Sequence, residues 1–160
     1  MKHLEVLEKI KNEFVADKNV VGILVFGSVS KGTFHNDSDI DLFIVCRNFG
    51  TGYEFTTRMV DGIKVGYSRY SEEKLRYNVA SVPYRMYIFG HAQILYDQIG
   101  ISEMQRELLT FFADHQEVER EWNEYNARYE KEKKNFGEGK TSIRDVYAEL
   151  DQKWSKELSQ

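Results

Sequence analysis

The sequence predicts an α/β (α+β) fold, in which a mixed β-sheet is flanked by helices and followed by a C-terminal helical segment. Three observations support this prediction. Short β-branched apolar runs, typical of buried strands, are confined to residues 1–100. Asp61-Gly62 separates two strand-like runs, which is the pattern of a β-hairpin. Residues 101–160 instead carry apolar side chains at helical spacing, so we expect an α/β domain over 1–100 and a helical hairpin or extension over 101–160.

The elements of the first hundred residues can be predicted in order along the chain. Apolar residues at Leu4, Leu7, Ile10 and Phe14 have helical spacing and predict a helix that ends near Asp17. Alternating or continuous apolar runs predict strands over 20–26, 39–45, 53–60, 63–70 and 92–96. Between the last two strands we expect a helix capped by Ser71 and a helical turn opened by Pro83.

The C-terminal part is predicted to hold two helices. The first extends from Ser102, whose spacing to Gln105 suggests a capping box, to about Phe136, and the second is capped by Thr141 or Ser142. Apolar and aromatic side chains form a stripe along the first helix: Leu108, Phe111, His115, Val118, Trp122, Tyr125 and Tyr129. A large exposed aromatic patch is uncommon on a soluble monomer, so we expect the α/β part or a second chain to cover this stripe, with a homodimer favoured.

Composition and charge exclude several classes of function. The 26 acidic and 22 basic side chains give a net charge of −4, which does not suit a protein that binds bulk nucleic acid. The single cysteine, Cys46, cannot form an internal disulfide and favours a reducing compartment. The apolar runs are far shorter than the roughly 20 residues that span a bilayer. These features predict a cytoplasmic protein that does not cross a membrane.

Two aspartates with one residue between them form the first part of a candidate site. Asp39 and Asp41 lie on a predicted strand, where alternation places both side chains on one face about 7 Å apart. Two like charges so close together are unfavourable unless a cation joins them. Carboxylate oxygens with room for water and phosphate suit Mg²⁺, so we predict Asp39 and Asp41 as metal ligands.

Gly27 and Ser28 form the second part, directly after an apolar strand. Glycine at this position allows an anion to approach the backbone closely, and a helix that begins after it would present free N–H groups. The Ser28 hydroxyl and the Lys31 ammonium would add two further donors. An anion cradle beside a metal-binding carboxylate pair is the arrangement that phosphoryl or nucleotidyl transfer needs.

The order Gly27-Ser28, a spacer of ten residues, then Asp39-Ile40-Asp41 between apolar residues resembles the nucleotidyltransferase superfamily of DNA polymerase β. The minimal and antibiotic nucleotidyltransferases are the members that it resembles most. The resemblance implies that Gly27 and Ser28 bind the phosphates of an NTP, next to the Lys31 donor already predicted, and that Asp39 and Asp41 are catalytic and hold Mg²⁺. The implied reaction moves a nucleoside monophosphate to a hydroxyl of a small molecule or a protein and releases pyrophosphate.

One departure from the family's pattern leaves the activity open. The family places a third carboxylate on a following strand, and the position that matches it here is Gly66. Asp61, Glu54 and Glu72 are the alternative candidates for this carboxylate. If none of them completes the site, the chain would be a catalytically impaired member that binds nucleotide or a partner. A Gly-Ser loop in an unrelated structural protein is the third alternative.

Overall fold

Five strands and six α-helices are formed by residues 2–27, 38–136 and 143–158, which are the residues that this computed structural model describes. The helices are α1 (Lys2–Val15), α2 (Glu72–Ser81), α3 (Tyr87–His91), α4 (Ile101–Asp114), α5 (Gln116–Phe136) and α6 (Ile143–Leu158), with a 3₁₀ turn at Pro83–Arg85. The strands are β1 (Val20–Phe26), β2 (Ile40–Cys46), β3 (Tyr53–Val60), β4 (Ile63–Ser71) and β5 (Gln93–Asp97). Each strand agrees with its predicted bounds to within one residue.

The strands form one mixed sheet in the order β3-β4-β2-β1-β5. Strands β2 and β4 are parallel, whereas the other neighbouring pairs are antiparallel. The predicted fold class is therefore confirmed. Because β2 lies between β1 and β4, a residue early in β2 has the end of β1 on one side and the start of β4 on the other.

Each face of the sheet has its own hydrophobic core. Helix α1 covers one face, where Val6 and Ile10 pack with Ile40, Leu42 and other strand residues. The helices that follow β4 cover the second face, on which Phe43 and Val45 are buried. Side chains alternate along a strand, so Asp41 lies on this second face, at the end of β2 that the helices leave partly exposed.

The hairpin between β3 and β4 has the predicted turn. Asp61 and Gly62 both have left-handed backbone conformations, with φ of 51° and 83°. Positive φ at both central residues is the signature of a type I′ turn, whose twist matches that of paired strands. The turn fixes the register in which Thr57 lies opposite Gly66.

The prediction of one helix over 102–136 is wrong in one respect, because the helix is interrupted at His115 and forms two helices, α4 and α5. In a continuous helix the His115 N–H would bond to the carbonyl of Phe111. The His115 ring nitrogen Nδ1 lies 2.9 Å from that carbonyl oxygen instead, and the backbone N–H bonds to Phe112. A side chain that competes for a backbone acceptor therefore ends the first helix.

The predicted capping box at Ser102 is also wrong. Helix α4 has Gly100 as its N-cap, in a left-handed conformation with φ of 83°. The carboxylate of Asp97 accepts hydrogen bonds from the backbone N–H groups of Ile99, Gly100 and Ser102. A carboxylate from the preceding strand therefore accepts from the backbone donors where this helix begins, including Ser102 itself.

The aromatic stripe on α5 is covered by residues of the same chain. Trp122 and Val118 are fully buried, and the Trp122 indole donates a hydrogen bond of 2.7 Å to the carbonyl of Tyr84. The rings of Tyr87 and Tyr147 both lie 6.0 Å from the Trp122 ring. The stripe therefore needs no second chain to exclude water from its centre, although the homodimer stays a prediction.

Two further observations concern the chain's environment. No helix within 2–27, 38–136 and 143–158 combines the length and the apolar composition that crossing a membrane requires. Cys46 is buried at the end of β2, and burial raises the pKa of its thiol. A raised pKa reduces the thiolate fraction, which agrees with a structural role for this cysteine.

Helix α6 is attached to the 3₁₀ turn by an ion pair between Arg85 and Asp151. The Arg85 Nε lies 2.9 Å from Oδ1 of Asp151, a second guanidinium nitrogen contacts Oδ2, and the Tyr84 hydroxyl donates to Oδ1 at 2.9 Å. The Arg85 hydrogen bonds hold the pKa of Asp151 below its ordinary value. Because the pKa of Asp151 is lower in the folded state, the ion pair contributes fully to stability above the pKa of the unfolded chain. This contribution is lost as the pH falls through the pKa of the folded state.

We expect Asp151→Asn to lower the free energy of unfolding at pH 7. The difference from wild type should narrow as the pH falls below about 4, the ordinary pKa of an aspartate, and through the lower pKa of folded Asp151. Urea unfolding at several pH values would measure this. Asp114→Asn, at an exposed position of α4, is the control and should change little at any pH. A difference that stays constant down to pH 2 would contradict the role of the ion pair.

Candidate functional site

The site lies where β1 ends beside the start of β2. Phe26, the last residue of β1, pairs with Asp41, and Gly27 follows with a left-handed φ of 77°. A Cβ atom at residue 27 would lie 3.0 Å from Oδ2 of Asp41. Glycine is therefore required here for two reasons, the backbone conformation and the close approach of the carboxylate.

Asp41 emerges on the side of the sheet opposite to Ile40 and Leu42, which are fully buried against the α1 side. Asp39 lies just before β2, and both aspartates are partly exposed. No group of three or more His, Cys, Asp or Glu side chains comes together among the described residues in a way that could hold a metal. Two carboxylates, with water and phosphate oxygens completing the shell, would suit Mg²⁺, so Asp39 and Asp41 stay the predicted ligands among the described residues.

Strand β2 is anchored just before these aspartates by a residue that the sequence did not single out. The Nε2 atom of His3 lies 2.8 Å from the carbonyl oxygen of Ser38, and both residues are buried. The apolar spacing of α1 instead pointed to Leu4, which is 51 % exposed. His3, Val6 and Ile10 are the buried stripe of this helix, so α1 contacts the backbone that positions Asp39.

Gly66 lies directly beside Asp41 in the parallel pairing of β2 with β4. A Cβ atom at residue 66 would lie 3.3 Å from Oδ1 of Asp41 and 3.3 Å from two ring atoms of Phe55. The position that matches the family's third carboxylate is therefore adjacent to Asp41. It has no carboxylate, and the Phe55 ring borders the point where its side chain would begin.

The three alternative carboxylates all lie elsewhere. Glu54 lies opposite Arg69 in the register of β3 with β4, on the α1 side of the sheet, which is the side opposite to Asp41. Asp61, in the hairpin turn, lies 3.7 Å from Lys9 of α1. Glu72 follows Ser71, which is level with Cys46 at the far end of β2, about 17 Å along the strand from Asp41 at 3.3 Å per residue. None of the three completes a cluster with Asp41.

Two of the predicted phosphate-binding residues, Ser28 and Lys31, lie outside the described residues. The structure therefore places Gly27 beside Asp41, with Asp39 two residues earlier along the chain, and leaves the assignment of Ser28 and Lys31 to the sequence motif. The strong signals in the sequence were a glycine after a strand and an alternating carboxylate pair. Phe55 had no such signal, because its contact with Gly66 depends on how β3 pairs with β4.

Comparisons with known proteins identify the family of this chain. The family model "Polymerase beta, Nucleotidyltransferase" matches residues 8–98, which is more than half of the chain. A solved structure of a nucleotidyltransferase-like protein from Exiguobacterium sibiricum is similar, with 14 % sequence identity and a TM-score of 0.49. The similarity covers 65 % of this chain and 37 % of that one, so the chain matches little more than a third of that protein's length. No curated protein matches. On the extent of the family match, this chain belongs to the polymerase β nucleotidyltransferase family.

Proposed function

We propose that this chain is a Mg²⁺-dependent nucleotidyltransferase that moves a nucleoside monophosphate from an NTP to a hydroxyl acceptor and releases pyrophosphate. The acceptor would be a small molecule or a protein side chain. The observation that carries the proposal is the position of Asp41 between two glycines, with Gly27 next to Oδ2 and Gly66 next to Oδ1. Neither glycine places a Cβ atom beside this carboxylate, so the backbone of residues 27 and 66 approaches it without an intervening side chain.

In this proposal Gly27, Ser28 and Lys31 bind the phosphates, and Asp39 and Asp41 hold the metal. Bound Mg²⁺ would neutralise phosphate charge and so favour attack on phosphorus. The acceptor oxygen forms a bond to the α-phosphorus, and the bond from that phosphorus to its bridging oxygen breaks, with its electron pair leaving on pyrophosphate. The acceptor's proton passes to water, because residue 66 offers no carboxylate to take it.

A second candidate function is supported by the same glycine. With Gly66 beside Asp41, a base at this position is absent, and general-base catalysis typically contributes 10²–10⁴-fold to the rate. The chain would then bind nucleotide, transfer it slowly or not at all, and act by binding a partner. Catalysis and binding must therefore be measured separately.

The experiment is to titrate MgATP into the protein by calorimetry, and then to follow pyrophosphate release from each of the four NTPs with and without pools of hydroxyl acceptors. Binding together with acceptor-dependent release would support the transferase. Binding without release under any condition would favour the second candidate. A chain that binds no nucleotide in the presence of Mg²⁺ would overturn both.

We expect Gly27→Val to abolish MgATP binding while the chain stays folded, because a side chain would be strained at this φ and would contact the Asp41 carboxylate. Calorimetry and circular dichroism on the same sample would measure both properties. Gly50→Val is the matched control, because nothing lies within 4 Å of its Cβ position and it should bind normally. Normal MgATP binding by a folded Gly27→Val protein would contradict the phosphate cradle.

A further inference from the structure

The ring of Phe55 is exposed beside the carboxylate site. Phe55 lies on the edge strand β3, two residues before Thr57 and on the same face of the sheet. Thr57 is the residue that lies opposite Gly66. Its ring atoms Cε2 and Cζ and the Asp41 oxygen Oδ1 all lie 3.3 Å from the point where a Cβ of residue 66 would be. The ring and the carboxylate oxygen therefore border the same small space, which exists because residue 66 has no side chain.

The surrounding residues cover only part of the Phe55 ring. Phe55 is 55 % exposed, although an aromatic ring that only filled a gap in a core would be mostly covered. One edge of the ring covers Gly66, and the rest is available to a ligand. Aromatic rings favour stacked or edge-to-face contacts with other rings, so this surface suits a flat group.

The two sides of Asp41 decide which substrate this surface faces. Oδ2 is on the side of Gly27, where the proposed function places the phosphates, and Oδ1 is on the side of Gly66 and Phe55. Direct transfer requires the attacking oxygen and the leaving pyrophosphate to lie on opposite sides of the reacting phosphorus, roughly in line. With the phosphates on the Gly27 side, the Phe55 side of Asp41 is the side that is left for the acceptor.

We infer that Phe55 is a specificity-determining residue whose ring stacks on an aromatic ring carried by the acceptor next to its reacting hydroxyl. This inference rests on the proposed function, because it assigns the phosphates to the Gly27 side. It identifies a class of acceptor, a hydroxyl compound or side chain with an aromatic ring close to the oxygen. An acceptor with a saturated ring of the same size would bind less well.

The test compares 2-phenylethanol with 2-cyclohexylethanol, two alcohols that differ in whether the ring is aromatic. Saturation-transfer NMR would measure their binding to the full chain, with and without Mg²⁺ and α,β-methylene-ATP. We expect the wild type to prefer the aromatic alcohol, and Phe55→Leu to lose about two- to tenfold in affinity for it. Phe55→Leu keeps an apolar cover over Gly66 but removes the ring, whereas Phe55→Trp should retain binding.

Met59→Ala is the matched control, because Met59 is 64 % exposed on the same face of β3 but is not among the nearest neighbours of the Gly66 position. It should leave the affinity for both alcohols unchanged. Urea unfolding of each variant shows whether the fold is retained. If Phe55→Leu binds 2-phenylethanol as the wild type does, the ring only covers Gly66 and the inference is wrong.

A second measurement separates the acceptor from the nucleobase as the stacked ring. If Phe55→Leu weakens binding of α,β-methylene-ATP but not of inorganic triphosphate, the ring faces the base and the acceptor assignment is overturned. If the wild type binds no nucleotide but still binds 2-phenylethanol through Phe55, the aromatic subsite stands and the proposed function fails. If neither ligand binds, both proposals fail.

Discussion

Asp41→Asn should abolish Mg²⁺-dependent ATP binding while leaving the fold unchanged, and Asp39→Asn should have the same effect. The amide keeps the shape of the carboxylate but loses its charge, so two anionic ligands for a divalent cation become one. Changes to residues that only support a metal ligand cost about 10–100-fold in affinity, so we expect the loss of a ligand to exceed about 100-fold. Calorimetry with MgATP, and with ATP in the presence of a chelator, would measure the metal-dependent part.

Asp61→Asn is the matched control for this experiment. It makes the same chemical change at another carboxylate that the sequence offered as a candidate, in the hairpin turn beside Lys9. Asparagine tolerates the left-handed conformation of this residue, so the turn should persist. MgATP affinity that fell equally in Asp61→Asn and Asp41→Asn would show a general charge effect, and unchanged affinity in Asp41→Asn would remove the metal role.

The strands could be predicted from the sequence because their signals are local. The β-branched run of β1 and the Asp61-Gly62 turn fix their own conformations, and alternation around Ile40 places Asp39 and Asp41 together. The same locality explains why Gly27 could be identified, since a glycine between a strand and a carboxylate pair depends on adjacent elements. The proximity of Gly27 to Asp41 was therefore accessible to sequence reasoning.

The features that the sequence did not predict depend on contacts between distant residues. His3 can be buried because its ring nitrogen Nε2 forms a hydrogen bond with the carbonyl oxygen of Ser38, 35 residues further along the chain. Phe55 borders the Asp41 site only because β3 pairs with β4 and β4 lies parallel to β2. His115 is different, since its competing hydrogen bond is local, but periodicity describes which side chains share a face and not which acceptor a side chain takes.

The burial of Trp122 limits which experiments can test the homodimer. A charged residue at a fully buried position would unfold the chain, so Trp122→Glu cannot report on association. Sedimentation equilibrium of the wild type is sufficient. A mass near 18.8 kDa at micromolar concentration would exclude the dimer, and twice that mass would support it.

Trp122→Ala should be among the most destabilising single substitutions in this chain. The indole is fully buried between the aromatic rings of α3 and α6, and it donates to the carbonyl of Tyr84. Truncation of a buried tryptophan leaves a large cavity and typically costs 3–5 kcal/mol. It also leaves the Tyr84 carbonyl without this donor. We expect a fall of about 3–5 kcal/mol in the free energy of unfolding, measured by urea denaturation.

Two variants separate packing from hydrogen bonding at this position. Trp122→Phe keeps an aromatic ring but removes the donor to Tyr84, so it should cost about 1–3 kcal/mol, less than the alanine variant. Tyr129→Ala changes a half-buried ring on the same stripe and should cost less still, because more of that ring is already in water. Equal losses of unfolding free energy for Trp122→Ala and Tyr129→Ala would contradict the central role of Trp122 in the stripe. A larger loss for Trp122→Ala would show that the contact of α5 with the turn at Tyr84 is the centre of this core.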